Sequence, residues 1–461
     1  MSLTPSIIAD LLLLGILGLI SGHGYYLYRQ RRWLLFDPLN LFWGGVLVCY
    51  VEQPISHAAT FIGWHGEELF CRTLFWVLIG LVCVVVGYEI RWGGVFARKL
   101  PKMPEKMWAW RVSVLACVLI LLGLASYAYD MHAVGGAQVW LSVGRGGTDI
   151  EGSSAYFREL QHFLPVGIIV LLFAAEMSPS NFLHRLVAWS AGILMWMWFV
   201  YLGTRSRTIM FGVVLMAAWY LPRRKNPPVL LLAPLFVGLW LLVNFQATYR
   251  NQFTNLSFNL HSVDWSEFQG AILPSWLGGA ENTAKEEVSG GLEFNCVMTV
   301  VKLVPDLIPY NYGYGHLEVF TRPIPRAIWP GKRYPHLEAL QGVFREGGLT
   351  ESTGGFSDLL AGPALTFAGD WYYVWGPLGL ILGGLLTGII FRTIREYYES
   401  SRHSLATTLV YLQLLTVGFN EAAATPLYWL ITLSPPLLLL WLACNLCRER
   451  PIIPAAAYPW K

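Results

Sequence analysis

Charge is scarce in this chain. Asp, Glu, Lys and Arg make up 13% of its 461 residues, about half their share in ordinary soluble domains. That excludes a solvated globular surface of the usual kind. With a formal net charge of only +3, no nucleic-acid partner is expected. No Gly-x-x-x-x-Gly-Lys-Ser/Thr stretch is present, so the chain lacks the loop that cradles nucleotide phosphates. The histidines fall in no HxxxH or HExxH pattern, and neither a metal site nor any other cofactor is expected. Seven cysteines are scattered from Cys49 to Cys447 with no disulfide framework. Cys444-x-x-Cys447 lacks the second Cys pair or βαβ context that would make it a metal or redox motif. No internal repeat or low-complexity segment stands out. The first apolar run starts near Ile7 without a basic n-region or a small-residue cleavage site, so no removable signal peptide is expected.

What fills the chain instead is hydrophobic sequence, 55% of residues with a mean hydropathy of +0.48. Many runs approach the roughly 20 residues needed to cross a bilayer. Eleven spans are expected, over about 5–28, 38–54, 70–90, 109–130, 158–177, 183–202, 207–221, 228–247, 371–392, 404–420 and 424–446. The fold class is therefore an all-α polytopic membrane protein. Residues 1–250 hold spans 1–8. Residues 251–370 form one large periplasmic loop with short amphipathic helices, the clearest over Leu292–Pro305. Residues 371–461 hold spans 9–11 and a cytoplasmic C-terminus. Lys and Arg collect after the odd-numbered spans, in Arg29, Arg31 and Arg32, in Arg91 to Arg111, in Arg185, in Arg223 to Lys225, in Arg392 to Arg402, and again at the C-terminus. Positive charge favours the cytoplasm, which puts the N-terminus and the large loop on the outer side of the membrane.

The outer cations run against that bias. Arg205 and Arg207 sit in GTRSR, Arg250 closes span 8, and Arg322, Arg326, Lys332 and Arg333 stand among Pro323, Pro325, Pro330 and Pro335. Prolines fix φ and remove donors, giving a stiff loop that presents cations. Guanidinium groups bind phosphate oxygens bidentately, although headgroup contact and snorkelling would use the same residues. On the same face lie Asp370 in AGDWYY, Glu421 in FNEAAA and Glu293 in GLEFN. A carboxylate beside an apolar wall can act as a general base. A helix cap or an ion pair is an equal reading for Asp370. His316 and His162 read first as structural histidines. Trp329 and Tyr372 could stack on sugar rings or belong to an aromatic belt at the interface.

At these residues the chain resembles the Wzy-type bacterial O-antigen or oligosaccharide repeat-unit polymerases. Gly203-Thr204-Arg205, Glu293-Phe294-Asn295, Pro325-Arg326-x-x-Trp329-Pro330-x-Lys332 and Gly369-Asp370-Trp371-Tyr372 carry the resemblance, and relatives often have Glu where this chain has Asp370. The resemblance implies a membrane-embedded C-type glycosyltransferase that needs no metal. Such an enzyme moves a glycan from undecaprenyl diphosphate to the non-reducing end of a lipid-linked repeat unit. Membrane lipids, a flippase and a chain-length regulator are the implied partners. Taken with the outer-face reading of the residues, it points to Asp370, Arg326 and Arg205 for catalysis and to Arg250, Arg322, Lys332, Arg333, Trp329, Glu293, His316, Tyr372 and Glu421 for substrate. An O-antigen ligase shares this donor chemistry. A transporter of the same lipid-linked glycan would instead show inverted repeats, broken helices and charges at mid-span.

Overall fold

The computed structural model describes residues 5–133, 135–137, 140, 160–178, 181–202, 205–223, 225, 227–228, 238, 293–313, 316, 324, 328–329, 365–401, 404–423 and 428–448. Among these residues the fold is all helical, with no strand. The elements are α1 (Pro5–Arg29), α2 (Pro38–Leu47), a π-helical turn (Val48–Glu52), α3 (Gln53–Ser56), α4 (Ala58–His65), α5 (Glu67–Glu89), α6 (Trp92–Lys99) and α7 (Ala109–Ala133). A 3₁₀ turn (Leu160–His162) leads into α8 (Phe163–Met177), followed by α9 (Phe182–Tyr201), α10 (Arg205–Tyr220) and α11 (Glu293–Leu303). The last five are α12 (Thr366–Trp375), α13 (Pro377–Ser400), α14 (Leu405–Leu415), α15 (Val417–Ala423) and α16 (Tyr428–Leu446). Polar residues punctuate the apolar runs where helices begin: the side chains of Asp37, Asn181 and Ser404 cap α2, α9 and α14.

Six helices are long and apolar enough to cross a membrane, Ser6–Arg29, Glu67–Glu89, Ala109–Ala133, Leu160–Met177, Phe182–Tyr201 and Pro377–Ser400, with Arg207–Tyr220 and Leu437–Leu446 as shorter apolar helices. Their outward faces carry large apolar side chains, including Leu14, Leu121, Leu183 and Leu194, which water would not tolerate in such number but hydrocarbon does. The chain is thus a helical membrane protein. Most of the eighth expected span, residues 228–247, lies outside the described residues.

Three expected elements are built differently. The second span is interrupted by the π-helical turn at Val48–Glu52. The tenth divides at Thr416 into α14 and α15. The ninth, expected as one helix over 371–392, is two: α12 ends at Trp375 and α13 starts at Pro377. Gly376 between them holds φ at +60°, and a Cβ there would lie 2.7 Å from the Tyr310 hydroxyl. Pro377 then supplies a first helical position that needs no donor. The expected boundary between loop and span at residues 370 and 371 therefore falls inside α12. The Leu292–Pro305 segment is helical over Glu293–Leu303, but its run from Phe294 to Val301 is wholly buried rather than laid on a surface.

Glycine makes the central seam. Along α13, a Cβ at Gly384 would come within 2.6 Å of the Gly80 carbonyl oxygen of α5, and one at Gly388 would collide with the Val84 oxygen. In hydrocarbon, where helices gain little from hiding apolar surface, such backbone approach drives association. α7 and α8 pack antiparallel by the same device, with Gly123 against Leu164 and Gly167 against Ile120.

The contacts also sort the chain into two ends. At one, Arg395 Nη1 donates to Asp37 Oδ2 at 3.0 Å and to the Tyr88 hydroxyl at 2.7 Å, and Tyr88 donates to Asp37 Oδ2 at 2.8 Å. Arg395 Nη2 donates to the Arg32 carbonyl, Arg32 pairs with Glu89 at 3.0 Å, and Glu89 accepts from His23 at 3.2 Å. Arg111 joins the end of α16 there through the Leu446 carbonyl at 3.0 Å. At the other end stand Asp130, Glu293, His316 and Asp370.

Two outcomes test this packing. Gly388→Leu should cost at least about 2–3 kcal/mol of stability, whereas Gly22→Ala, with nothing within 4 Å of the new Cβ, should be neutral; unfolding in mixed micelles measures both. Arg395→Met leaves Asp37 buried without its cation and should cost about 3–5 kcal/mol, against about 1 kcal/mol for Tyr88→Phe.

Candidate functional site

α12 does not begin at a surface. Phe367 reaches Gly80 in the middle of α5 and Tyr372 meets Trp76 nearer its start, while the Trp371 ring seats against Gly383 of α13. The helix therefore rises from mid-bundle to Gly376 and the chain turns back down as α13. Its first turn exposes N–H donors in an apolar interior, each costly if unmet. Tyr50 of the π-helical turn meets the need. Its hydroxyl accepts from the Ala368 N–H at 2.9 Å and donates at 2.7 Å to Thr366 Oγ1, which in turn donates to the Leu365 carbonyl at 2.6 Å. Thr366 has φ +59°, a conformation that a β-branched residue rarely adopts, and these bonds hold it there.

The turn of α12 above that cap carries Asp370, which is 1% exposed. Its Oδ2 accepts from His316 Nε2 at 3.0 Å, and the imidazole stacks on the Trp371 indole at 4.8 Å between centroids, 17° from parallel. The indole nitrogen of Trp371 is buried with no protein hydrogen-bond partner. His316 also feels the charge of Glu421 from α15, a residue that is 0% exposed. Burial pulls the imidazole down in pKa, but the Asp370 carboxylate and its hydrogen bond, with Glu421 behind, outweigh it, and the net direction is upward. A partly buried imidazole held by a carboxylate can accept a proton and keep it.

A second polar group lies at the start of α11. Gln53 donates through Nε2 to Glu293 Oε2 and accepts from the Phe294 N–H at 3.0 Å. His65 Nε2 donates to Asn295 Oδ1 at 2.6 Å, and burial holds its imidazole below the ordinary value. Val297 of α11 lies 3.4 Å from where a Cβ on Gly369 would stand, so this group and the Asp370 pair share one helix–helix contact.

Of the residues expected at a site, the structure pairs Asp370 with His316, and Glu421 acts on that imidazole through its charge. Glu293 stands next to them as a capping partner of Gln53 rather than in the pair itself. Tyr372 is buried against Trp76 and Trp329 is exposed. Arg205 opens α10, but its side chain lies outside the described residues, as do Arg250, Arg322, Arg326, Lys332 and Arg333. Among the described residues no group of three or more His, Cys, Asp and Glu is placed to hold a metal ion. Tyr50, Gln53 and Asn295 escaped the sequence reading of the site, although the dipeptide Gly376-Pro377 was a legible break signal that would have separated α12. No family model, curated protein or solved structure matches the chain.

The raised imidazole gives a pH dependence with a definite sign. Its folded value lies above the unfolded one, so the pair stabilises fully below about 6.5, the ordinary histidine value, and the contribution is lost as pH rises through the folded value. Melting temperature should fall across that window in the native chain more than in Asp370→Asn, in which the partner charge is gone. Parallel profiles for the two proteins would dismiss the pairing.

Proposed function

We propose that this chain is a glycosyltransferase of the bacterial polysaccharide polymerase kind, working at the outer face of the inner membrane with its N-terminus outside and its C-terminus in the cytoplasm. The observation that carries the reading is the pair of buried Asp370 and partly buried His316, 3.0 Å apart, at the end of the bundle opposite the arginine-rich one. That placement agrees with the resemblance in Gly369-Asp370-Trp371-Tyr372 and Pro325-Arg326-x-x-Trp329-Pro330. In this reading the chain has eleven spans and the C-type layout.

The chemistry divides between two sets of residues. The acceptor sugar hydroxyl gives its proton to the His316–Asp370 pair as its oxygen attacks the anomeric carbon of the donor. The bond from that carbon to the phosphate oxygen breaks, and the electron pair leaves with undecaprenyl diphosphate. Arg205, Arg250, Arg322, Arg326, Lys332 and Arg333 hold the diphosphate and stabilise its charge as it departs, the electrostatic part usually worth most in such transfers. Trp329 offers a face to sugar. Metal is not needed where cations of the chain neutralise the leaving group.

One observation favours a second reading. The helix broken at Gly376, with Asp370 and Glu421 buried behind it, is the kind of element that carries substrates in secondary transporters. Transport of the same lipid-linked glycan is the alternative, and ligation to another acceptor is the remaining one.

Purified protein given a lipid-linked repeat unit separates them. A ladder of lengthening products is the expected result. A single transfer to a foreign acceptor means a ligase, and movement across vesicles without new glycosidic bonds means a transporter. Asp370→Asn and His316→Gln should slow the ladder by about 10²–10⁴-fold. Arg205→Ala and Arg326→Ala should abolish it with membrane insertion unchanged, and normal polymer from both would sink the phosphate role.

A further inference from the structure

The chain between α5 and α7 is a strap across the arginine-rich end, and it forms one edge of an open cavity. The Tyr397 hydroxyl donates to the Pro101 carbonyl at 2.9 Å, Ser404 Oγ to the Pro104 carbonyl at 2.7 Å, and the Trp108 N–H to the Cys447 carbonyl at 2.9 Å. Three helices, α13, α14 and α16, are thus tied to one strap. Beneath it lies an apolar cavity of about 160 Å³, lined by Leu100, Met103, Ile394, Leu414, Leu437 and Trp441 among others. That is close to the volume of an apolar cavity that binds benzene, so it holds roughly six carbons of a chain. Its edge is open at the strap, where Leu100 and Pro101 are exposed.

Two further features point to what occupies it. Trp441 lines the cavity, and its indole nitrogen is buried with no hydrogen-bond partner. A purely hydrocarbon occupant would leave that donor unmet, at a cost of about 1–3 kcal/mol. The strap itself is strongly basic. Between Arg91 and Arg111 it has six cations and one acid, Glu105. All six cations are exposed, and Lys99 and Lys102 flank the two residues that form the cavity's open edge. Alongside, α6 turns Trp92, Val95 and Phe96 outward, as a helix seated between headgroups and acyl chains does.

We propose that this cavity is a binding site for an anionic phospholipid. An acyl chain enters under the strap, an ester carbonyl accepts from Trp441 Nε1, and Lys99 and Lys102 meet the phosphate. The site is at the opposite end of the bundle from Asp370 and does not depend on what reaction, if any, that residue serves. By tying the strap to α13, α14 and α16, the lipid would steady the helices that carry Arg395 and Glu421's neighbours.

Native mass spectrometry of the full chain with added dioleoyl-phosphatidylglycerol or dioleoyl-phosphatidylcholine tests this. Both lipids carry a phosphate, but choline cancels its charge in phosphatidylcholine, so the anionic lipid should be retained at least about tenfold more, each basic residue near a net anionic headgroup contributing about fivefold. Lys99→Gln with Lys102→Gln should bring the two lipids towards parity. Trp441→Phe, which keeps the ring and removes the donor, should weaken phosphatidylglycerol about fivefold. Leu414→Trp, which fills the cavity, should abolish retention. Equal retention of both lipids by the native chain overturns the proposal. So does an undiminished anionic preference in the lysine pair and in Trp441→Phe, or tighter retention of a polyprenyl monophosphate than of phosphatidylglycerol.

Discussion

A helix that starts inside an apolar bundle must find acceptors for its first N–H groups, and the arrangement around Asp370 follows from that constraint. Tyr50 supplies the acceptor for Ala368, Thr366 completes the chain of bonds to Leu365, and α12 is fixed at its deep end. Tyr50 can do this because the π-helical turn carries it; such turns recur where a helix must re-aim a side chain. One helical step above, the same anchoring sets Asp370 against His316. With Gly376 and Gly383 admitting the return of α13 around Trp371, a buried carboxylate is held in place by backbone geometry rather than by surface charge.

The two ends of the molecule use polarity differently. At the arginine-rich end, Asp37, Tyr88 and Arg395 bond to one another, Asp37 also accepts from the Leu39 N–H, and Arg395 donates on to the Arg32 carbonyl. Such a network is costly to break and does little else. At the other end the polar groups include a Trp371 N–H with no protein partner and an imidazole paired with Asp370 that also feels the charge of Glu421. The first end reads as a structural lock, held by an arginine ion-paired to a buried carboxylate, and the second as a candidate site, where a carboxylate holds an imidazole. The Trp441 donor, His23 Nδ1, Arg392 Nη1 and Thr407 Oγ1 are buried without partners at the arginine-rich end, and of these residues only Trp441 lines the cavity.

The helical membrane character was legible from composition and run length, because a span needs only a sufficient stretch of apolar residues. Asp370, His316 and Glu421 were legible as candidates because ionisable groups are rare in such a chain. Their convergence was not, since 54 residues separate His316 from Asp370 in sequence and no spacing rule connects them. The split of the ninth span was half legible: Gly376-Pro377 signals a break, yet the aromatic run TFAGDWYYVW before it continues a hydrophobic pattern that hides it. The segment over Glu293–Leu303 has an amphipathic spacing suited to an interface, and tertiary packing buried it instead.

By itself the sequence determined that this chain partitions into a membrane, where its apolar runs lie, and which ionisable residues had to be accounted for. Composition and periodicity control those properties directly, because they depend on summed transfer energies along the chain. Only the tertiary structure decided that Tyr50 caps a helix more than three hundred residues away, that glycines of α5 and α13 bring two backbones together, and that His316 rests on Trp371 and Asp370. Those outcomes depend on shape fit and on pairing each buried donor with an acceptor, and neither is written in local sequence.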